Sequence, residues 1–106
     1  MSKAVTTPTG GVVQLAETVS YGRRRRVQLA YLHRRSREPE VRLAADAEVV
    51  VAMTESWSFT RPSGEPIPVT IDGADELDHR DIDALFPEAA QLFTAATTTT
   101  PKAEAS

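Results

Sequence analysis

The chain has 106 residues and a formal net charge of −3, which is enough material for one small domain. It contains no cysteine, and this excludes disulfides, thiolate nucleophiles and thiolate metal sites. No apolar run approaches the roughly 20 residues that a membrane-spanning helix requires, and the first residues lack an apolar secretion signal. We therefore expect a cytoplasmic protein that makes no membrane contact.

The beginning of the chain predicts a disordered tail followed by a short strand. Residues 1–10 are polar, small and rich in threonine, proline and glycine, so they offer little apolar surface to offset the entropy of ordering. Residues 12–16 include two valines and a leucine and predict one strand. A single strand needs a partner, and the candidates are residues 57–60 and residues 67–70.

A first helix is predicted over residues 21 to about 35. Thr18 or Ser20 can cap this helix, because a side-chain oxygen at that position accepts an otherwise unpaired N–H of the first turn. Val27 and Tyr31 are four residues apart and therefore lie on one stripe of the helix, which we expect to face the core.

A second helix is predicted to start at Pro39, since the missing N–H of proline is not needed in the first turn. Residues then recur at spacings of four and three, which is typical of a helical stripe. The stripe consists of Leu43, Ala47, Val50, Thr54 and Trp57. The β-branched residues 49–51 would also suit a strand, but the periodic pattern extends beyond them and favours a helix.

A third helix is predicted after Asp78, an effective cap, and a short helical turn over residues 72–77 is expected before it. Pro87 should kink or split this helix, because it lacks the N–H that the helical ladder needs. The apolar stripe that follows the cap is formed by Ile82, Leu85, Phe86, Ala89, Leu92 and Phe93. Residues 97–106 are again polar and small and predict a second disordered tail.

These elements indicate an α+β fold that is mostly helical, with a short N-terminal strand or ribbon followed by about three helices. Residues 11–96 are predicted to form a single helix-rich domain between disordered tails at residues 1–10 and 97–106.

The residues that usually carry catalysis form no recognisable site. Neither His33 nor His79 has a neighbouring nucleophile, and the chain lacks a motif in which a base is oriented by a third group. The aspartates from Asp72 to Asp83 do not follow the offsets of a twelve-residue calcium loop, and Gly73 is misplaced for one. We therefore predict a non-enzymatic protein without cofactor or metal.

The charges form two blocks of opposite sign. Between residues 20 and 42 there are eight arginines and two glutamates, and between residues 65 and 88 there are eight acids and one arginine. The blocks can face each other within one molecule, or the basic face of one copy can contact the acidic face of the next. The run Arg23–Arg26 also allows contacts with nucleic-acid phosphates, although the acidic overall balance disfavours this hypothesis.

Several side chains are candidates for partner binding. Trp57 and Phe59 are two residues apart and are expected either in the core or as aromatic anchors for a partner. The full set of candidates comprises Arg23, Arg24, Arg25, Arg26, Trp57, Phe59, Ile82, Leu85, Phe86, Leu92 and Phe93.

The region from Val49 to Leu85 carries a recognisable order of short motifs. An apolar helix ends in Ser-Trp-Ser-Phe at residues 56–59, and Pro-Ser-Gly-Glu-Pro-Ile-Pro-Val-Thr follows at residues 62–70. Leu77-Asp78 and Asp81-Ile82-Asp83-Ala84-Leu85 come next. This order resembles the small tail assembly chaperones of long-tailed bacteriophages, over roughly a third of the chain. The basic stretch before Val49 and the proline at position 87 depart from the family pattern.

The resemblance implies a binding function without an active site. Family members coat the tape measure protein, a long helical chain that sets tail length, and they keep it soluble and help to recruit tail tube subunits. They are absent from the finished particle. Such chaperones are often made in two lengths by ribosomal frameshifting, and a slippery codon run at residues 100–102 would permit this here. The coding DNA tests that hypothesis, because the absence of a slippery heptamer would exclude it.

Overall fold

The computed structural model describes residues 2–98 and confirms the α+β class. Three strands form one antiparallel sheet and four helices accompany it within this range. In chain order the elements are β1 Ser2–Thr6, β2 Val12–Ala16, α1 Tyr21–His33, α2 Pro39–Met53, β3 Thr54–Trp57, α3 Ile71–Ala74 and α4 His79–Thr97. No helix within residues 2–98 is both long enough and apolar enough to cross a membrane.

The prediction of a disordered N-terminal tail is wrong for residues 2–6, which form β1. This strand pairs with β2 in an antiparallel hairpin, with Val5 opposite Val13. The turn between the strands contains Gly10 at φ 96°, a left-handed conformation that glycine adopts without steric cost. The tail is ordered because its backbone enters the sheet ladder and because Lys3 forms an ion pair with Glu88, at 3.0 Å between Nζ and Oε1.

The strand predicted at residues 12–16 is confirmed as β2, the central strand of the sheet in the order β1-β2-β3. Its second partner is β3, with Val13 opposite Trp57 and an irregularity in register between Gln14 and Leu15. The partner strand therefore includes Trp57, the first of the predicted residues 57–60, but begins three residues earlier, at Thr54. In consequence the second helix is shorter than its stripe predicted, because it ends at Met53 and the chain continues directly into the strand.

Helices α1 and α2 form an antiparallel hairpin whose starts are set by local signals. The Ser20 side chain accepts a hydrogen bond from the Arg23 backbone N–H at the start of α1, and Pro39 is the first residue of α2. The predicted stripe of α2 is wrong at Leu43, because this residue is 77% exposed. Val50 of that stripe is buried as expected, and the rest of the buried face of α2 is formed by Ala45, Val49, Ala52 and Met53.

Helix α4 runs without interruption from His79 to Thr97 with Pro87 inside it, so the predicted split is not observed. Pro87 and Asp83, the residue whose carbonyl would receive the missing N–H, are both exposed, so water can satisfy that carbonyl. The predicted cap is confirmed, since the Asp78 carboxylate accepts the Arg80 backbone N–H at 2.8 Å. The short helix predicted near residues 72–77 is observed as α3.

The core lies between the sheet, the α1–α2 hairpin and α4. Its buried members are Val13, Leu15, Val27, Ala30, Val49, Val50, Ala52, Met53, Leu85, Ala89 and Phe93. Tyr31 of α1 reaches Phe93 of α4, with ring centroids 6.1 Å apart, so the first and last helices meet across this core. The predicted C-terminal tail lies, apart from residues 97 and 98, outside the described residues.

Candidate partner-binding groove

An open groove lies beside the α1–α2 hairpin and has a cavity volume of about 560 Å³. We call it the α1–α2 groove. Side chains from α1, the second half of α2, the start of β3 and residues 69–71 line it. The lining residues are Arg23, Arg26, Leu29, Ala30, His33, Glu48, Val51, Ala52, Thr54, Glu55, Val69 and Ile71.

The surface of the groove is mainly apolar. Leu29 is 53% exposed and Ile71 is 37% exposed, and Val51 and Val69, which also line the groove, are half-buried. Large aliphatic side chains that remain accessible in a concave site gain free energy when a partner removes them from water. The groove therefore has the composition of a site for an apolar ligand or for the apolar face of a partner helix.

Arginines from α1 border one side of this groove, and they differ in what they contact. Arg23 is half-buried, and its Nε donates to the Ala52 carbonyl at 2.7 Å. This bond satisfies a carbonyl of the last turn of α2, where helices leave carbonyls unpaired. Arg26 is exposed, and no carboxylate among residues 2–98 forms an ion pair with it. Arg23 is thus part of the hairpin structure, whereas Arg26 is available to a ligand.

The side of the groove formed by α2 and β3 carries two carboxylates. The His33 Nδ1 donates to Glu48 Oε1 at 2.7 Å, so this glutamate is already engaged by α1. Glu55 is exposed on β3, and no ion pair involving it is found within residues 2–98. The groove therefore has an available positive charge at Arg26 and an available negative charge at Glu55, on different elements.

The acidic block, residues 65–88, differs from the exposed arginines of α1, because many of its carboxylates are paired with other side chains. Arg61 donates to Glu76 through Nε and Nη2 at 2.8 Å each, and to Glu65 through Nη1 at 2.8 Å. The hydrogen bonds from Arg61 hold the pKa of Glu76 below its ordinary value. Hydrogen bonds from Arg80 lower the pKa of Asp78 to about 2. Glu76 and Asp78 are therefore stabilised in the ionised form by the fold itself.

Asp81 is the buried member of the acidic block, at 1% exposure. One of its oxygens accepts the Thr9 backbone N–H at 3.1 Å and the other accepts the Thr9 hydroxyl at 2.6 Å. These bonds join the β1–β2 turn to the first turn of α4. A carboxylate near a helix N-terminus is also favoured by the helix dipole. Asp81 therefore has a structural role, which the sequence pattern did not distinguish from that of its exposed neighbours.

The aromatic candidates Trp57 and Phe59 lie at the edge of the core rather than in the groove. Their rings pack edge to face with centroids 5.5 Å apart, and both rings are partly buried against the core cluster. The Trp57 indole N–H donates to the Ile67 carbonyl at 2.7 Å. This contact fixes the segment that leads towards Val69 and Ile71, so Trp57 positions one border of the groove.

The partner-binding candidates of α4 are used mainly for packing. Leu85 is fully buried and Phe93 is buried, so neither is a surface residue in this fold. Ile82, Phe86 and Leu92 are partly buried and pack against the core cluster. The Arg34 guanidinium lies over the Phe86 ring, 4.9 Å from its centroid, and covers it from outside.

Four apolar residues of the groove are absent from the candidates that the sequence predicts, namely Leu29, Val51, Val69 and Ile71. One signal was present: Leu29 lies outside the stripe defined by Val27 and Tyr31, and an additional leucine outside the buried stripe of a helix indicates a second apolar face. Residues 69 and 71 give no such signal, because only the tertiary fold brings them to α1 and α2.

Comparisons with known proteins add no family assignment. The chain matches no protein-family model, and neither the curated proteins nor the solved structures give a significant match. Within residues 2–98 no group of three or more histidine, aspartate or glutamate side chains is placed to hold a metal ion. The groove and the order of motifs in residues 49–85 are therefore the features that bear on function.

Proposed function

We propose that this chain is a tail assembly chaperone that acts in the cytoplasm of a host cell. It holds an apolar helical segment of a tape measure protein in the α1–α2 groove, keeps that protein soluble, and helps to recruit tail tube subunits. The proposal needs no catalytic group, because the chaperone only has to cover the apolar surface of its client until assembly.

The observation that carries the proposal is the exposed apolar lining of the groove. Leu29 and Ile71 remain accessible although the chain has a buried apolar core. Monomeric proteins usually cover large aliphatic side chains that lie together, so their exposure in a concave site supports a partner. The order of motifs from Val49 to Leu85 supports the more specific assignment to the tape measure protein.

Co-purification tests this proposal. The chain is co-expressed with the tape measure protein encoded in the same genome, and Leu29→Glu is compared with the unchanged protein. We expect Leu29→Glu to reduce recovery of the complex by about tenfold or more, since burying a leucine contributes roughly 1.5–3 kcal/mol. The tape measure protein should then aggregate, which light scattering of the lysate measures.

Leu43→Glu provides the matched control. Leu43 is more exposed than Leu29 and does not line the groove, so the substitution adds the same charge at another exposed leucine. It should leave recovery unchanged. Equal recovery with both variants would contradict the assignment of the groove, and no complex with the unchanged protein would contradict the proposed function.

A second candidate is a nucleic-acid-binding regulator that acts through Arg24, Arg25 and Arg26. These side chains are exposed, and no carboxylate within residues 2–98 forms an ion pair with any of them. A gel-shift series in rising salt tests this function, since displaced counterions make phosphate binding fall steeply with salt. No shift at low salt would exclude it.

A third candidate, a minor structural protein of the virion, differs from the chaperone in one observable property. A structural component persists in mature particles, whereas an assembly chaperone leaves them. Mass spectrometry of purified particles therefore distinguishes the two functions.

A further inference from the structure

The α1–α2 groove has an available positive charge at Arg26 on its α1 side and an available negative charge at Glu55 on its α2–β3 side. The two flanks of a helix that lies in the groove therefore meet opposite charges. We infer that the groove fixes the direction of its helical client, by pairing client carboxylates with Arg26 and client lysines or arginines with Glu55. The inference rests on the proposed function, since it concerns the same groove. It specifies the chemistry of the client: an amphipathic helix whose apolar stripe has acidic residues along one flank and basic residues along the other.

The size of the groove suits a short helical segment. Its α1 side extends from Arg23 to His33, a distance of about 15 Å at 1.5 Å per residue. A client helix of about ten residues, or three turns, matches this length. Such a segment presents two or three apolar side chains to Leu29, Val51 and Ile71. On each flank, one or two of its side chains reach the charged residue on that side of the groove.

Direction follows from the geometry of a helix in a polarised groove. Turning a helix end for end while its apolar stripe still faces the groove exchanges its two flanks. In one direction the acidic flank then lies along α1 beside Arg26, and in the other it lies beside Glu55. An exposed ion pair changes an equilibrium by a factor of up to about five, and the reversed direction replaces attraction with repulsion on both sides.

Among the charged side chains of residues 2–98 that line the groove, two are available to pair with the client in this way. Arg23 is held by the Ala52 carbonyl, and His33 and Glu48 are paired with each other across α1 and α2. Arg26 and Glu55 have no ion-pair partner within residues 2–98. The direction signal is therefore assigned to Arg26 and Glu55.

Two designed peptides test the inference. Each has about fifteen residues, is held helical by side-chain lactam bridges, and carries a leucine stripe with a nitroxide label at its N-terminus. The first has glutamates on one flank and lysines on the other, and the second has these charges exchanged. Line broadening of the amide resonances near Arg23 and near His33 reports which end of the groove the label occupies.

We expect the two peptides to broaden amide resonances at opposite ends of the groove. Each peptide should prefer one binding direction over the other by about fivefold or more at low salt. In about 1 M salt, where the screening length falls to roughly 3 Å, the preference should disappear while binding persists. The double variant Arg26→Glu, Glu55→Arg should exchange the two directions. Arg24→Glu is the matched control, because Arg24 is exposed on the same helix and does not line the groove, and it should preserve them.

Failure of this inference can be distinguished from failure of the proposed function. If both peptides bind, lose affinity with Leu29→Glu and yet broaden the same end or both ends equally, the inference is wrong and the groove remains a client site. If neither peptide binds and Leu29→Glu does not affect recovery of the tape measure protein, both are wrong. A third outcome is that a single-stranded oligonucleotide displaces the peptides, and that Arg24→Glu weakens oligonucleotide binding as much as Arg26→Glu does. The surface is then a nucleic-acid site and the inference is overturned.

Discussion

The acidic block at residues 65–88 and the basic block at residues 23–42 have similar charge density but different structural surroundings. Carboxylates of the acidic block are paired with Lys3, Arg61 and Arg80 or accept hydrogen bonds from Thr9. Within residues 2–98 no ion pair joins the two blocks. Of the two arrangements considered from the sequence, mutual neutralisation within one molecule is therefore not supported by ion pairs. A copy-to-copy contact stays a prediction.

The comparison shows that charge has two uses in one small domain. In the acidic block it holds turns and helix ends in place, and in the basic block most arginines are left for solvent or a partner. Substitutions should therefore affect stability mainly in the acidic block and binding mainly in the basic block. Four predictions test this division, beginning with the largest expected effect.

Asp81→Ala should cause the largest loss of stability. The substitution removes the acceptor of both hydrogen bonds from Thr9 in a buried site, and hydrogen bonds to charged groups contribute about 1.5–3 kcal/mol. We expect the free energy of unfolding in urea to fall by about 2–3 kcal/mol. Asp83→Ala, an exposed neighbour in the same helix, is the control and should change stability by less than about 0.5 kcal/mol. Equal effects would contradict a structural role for the buried carboxylate.

Arg23→Ala should reveal the exception within the basic block. Its side chain ties α1 to the end of α2 through the Ala52 carbonyl, so we expect a loss of about 1 kcal/mol in the free energy of unfolding. Arg24→Ala, the adjacent exposed arginine, should have almost no effect in the same urea titration. The prediction is wrong if the two variants unfold at the same urea concentration.

Asp78→Asn should weaken the pH dependence of stability. Because the pKa of Asp78 in the folded protein is lowered to about 2 from its ordinary value of 3.8, its ionised form stabilises the fold. That stability is fully present above the ordinary pKa and is lost as the pH falls through the folded value. Asparagine can still cap α4 but does not titrate. The decrease in the urea midpoint between about pH 5 and pH 2 should therefore be shallower in the variant. An unchanged slope would show that this carboxylate makes no contribution.

The smallest effect on stability is expected for the combined substitution of Arg24, Arg25 and Arg26 by glutamine. These exposed arginines have no ion-pair partner within residues 2–98, so the free energy of unfolding should change by less than about 0.5 kcal/mol. Client binding should weaken, because Arg26 borders the groove. A marked loss of stability would mean that the basic block supports the fold and would remove the contrast between the blocks.

The elements that the sequence predicts well are those with local signals. Ser20 caps α1, Pro39 starts α2 and Asp78 caps α4, and each acts within one turn of its own helix. The stripe of α4 is also local, because its residues repeat every three or four positions, and Leu85 and Phe93 accordingly lie in the core.

The features that the sequence does not predict depend on distant residues. Strand β1 is polar, and its order depends on pairing with β2, on the ion pair of Lys3 with Glu88, and on the following turn, where Thr9 donates to Asp81. The change from helix to strand at Thr54 is similar, because Thr54 and Trp57 fit the helical spacing and only pairing with β2 favours the strand. The groove combines residues from three separate parts of the chain, and apart from the additional leucine at position 29 no local pattern indicates it.

The hydrogen bonds between Thr9 and Asp81 also determine how late in synthesis the fold can be completed. The two residues are 72 positions apart, and a ribosome that adds about 5–20 residues per second needs roughly 4–14 s to cover that distance. During this interval the nascent hairpin has neither its carboxylate acceptor nor the last helix to pack against. The groove residues at positions 29, 51 and 71 are also synthesised before Asp81, so the lining of the groove is present in the chain before the residue that completes these hydrogen bonds.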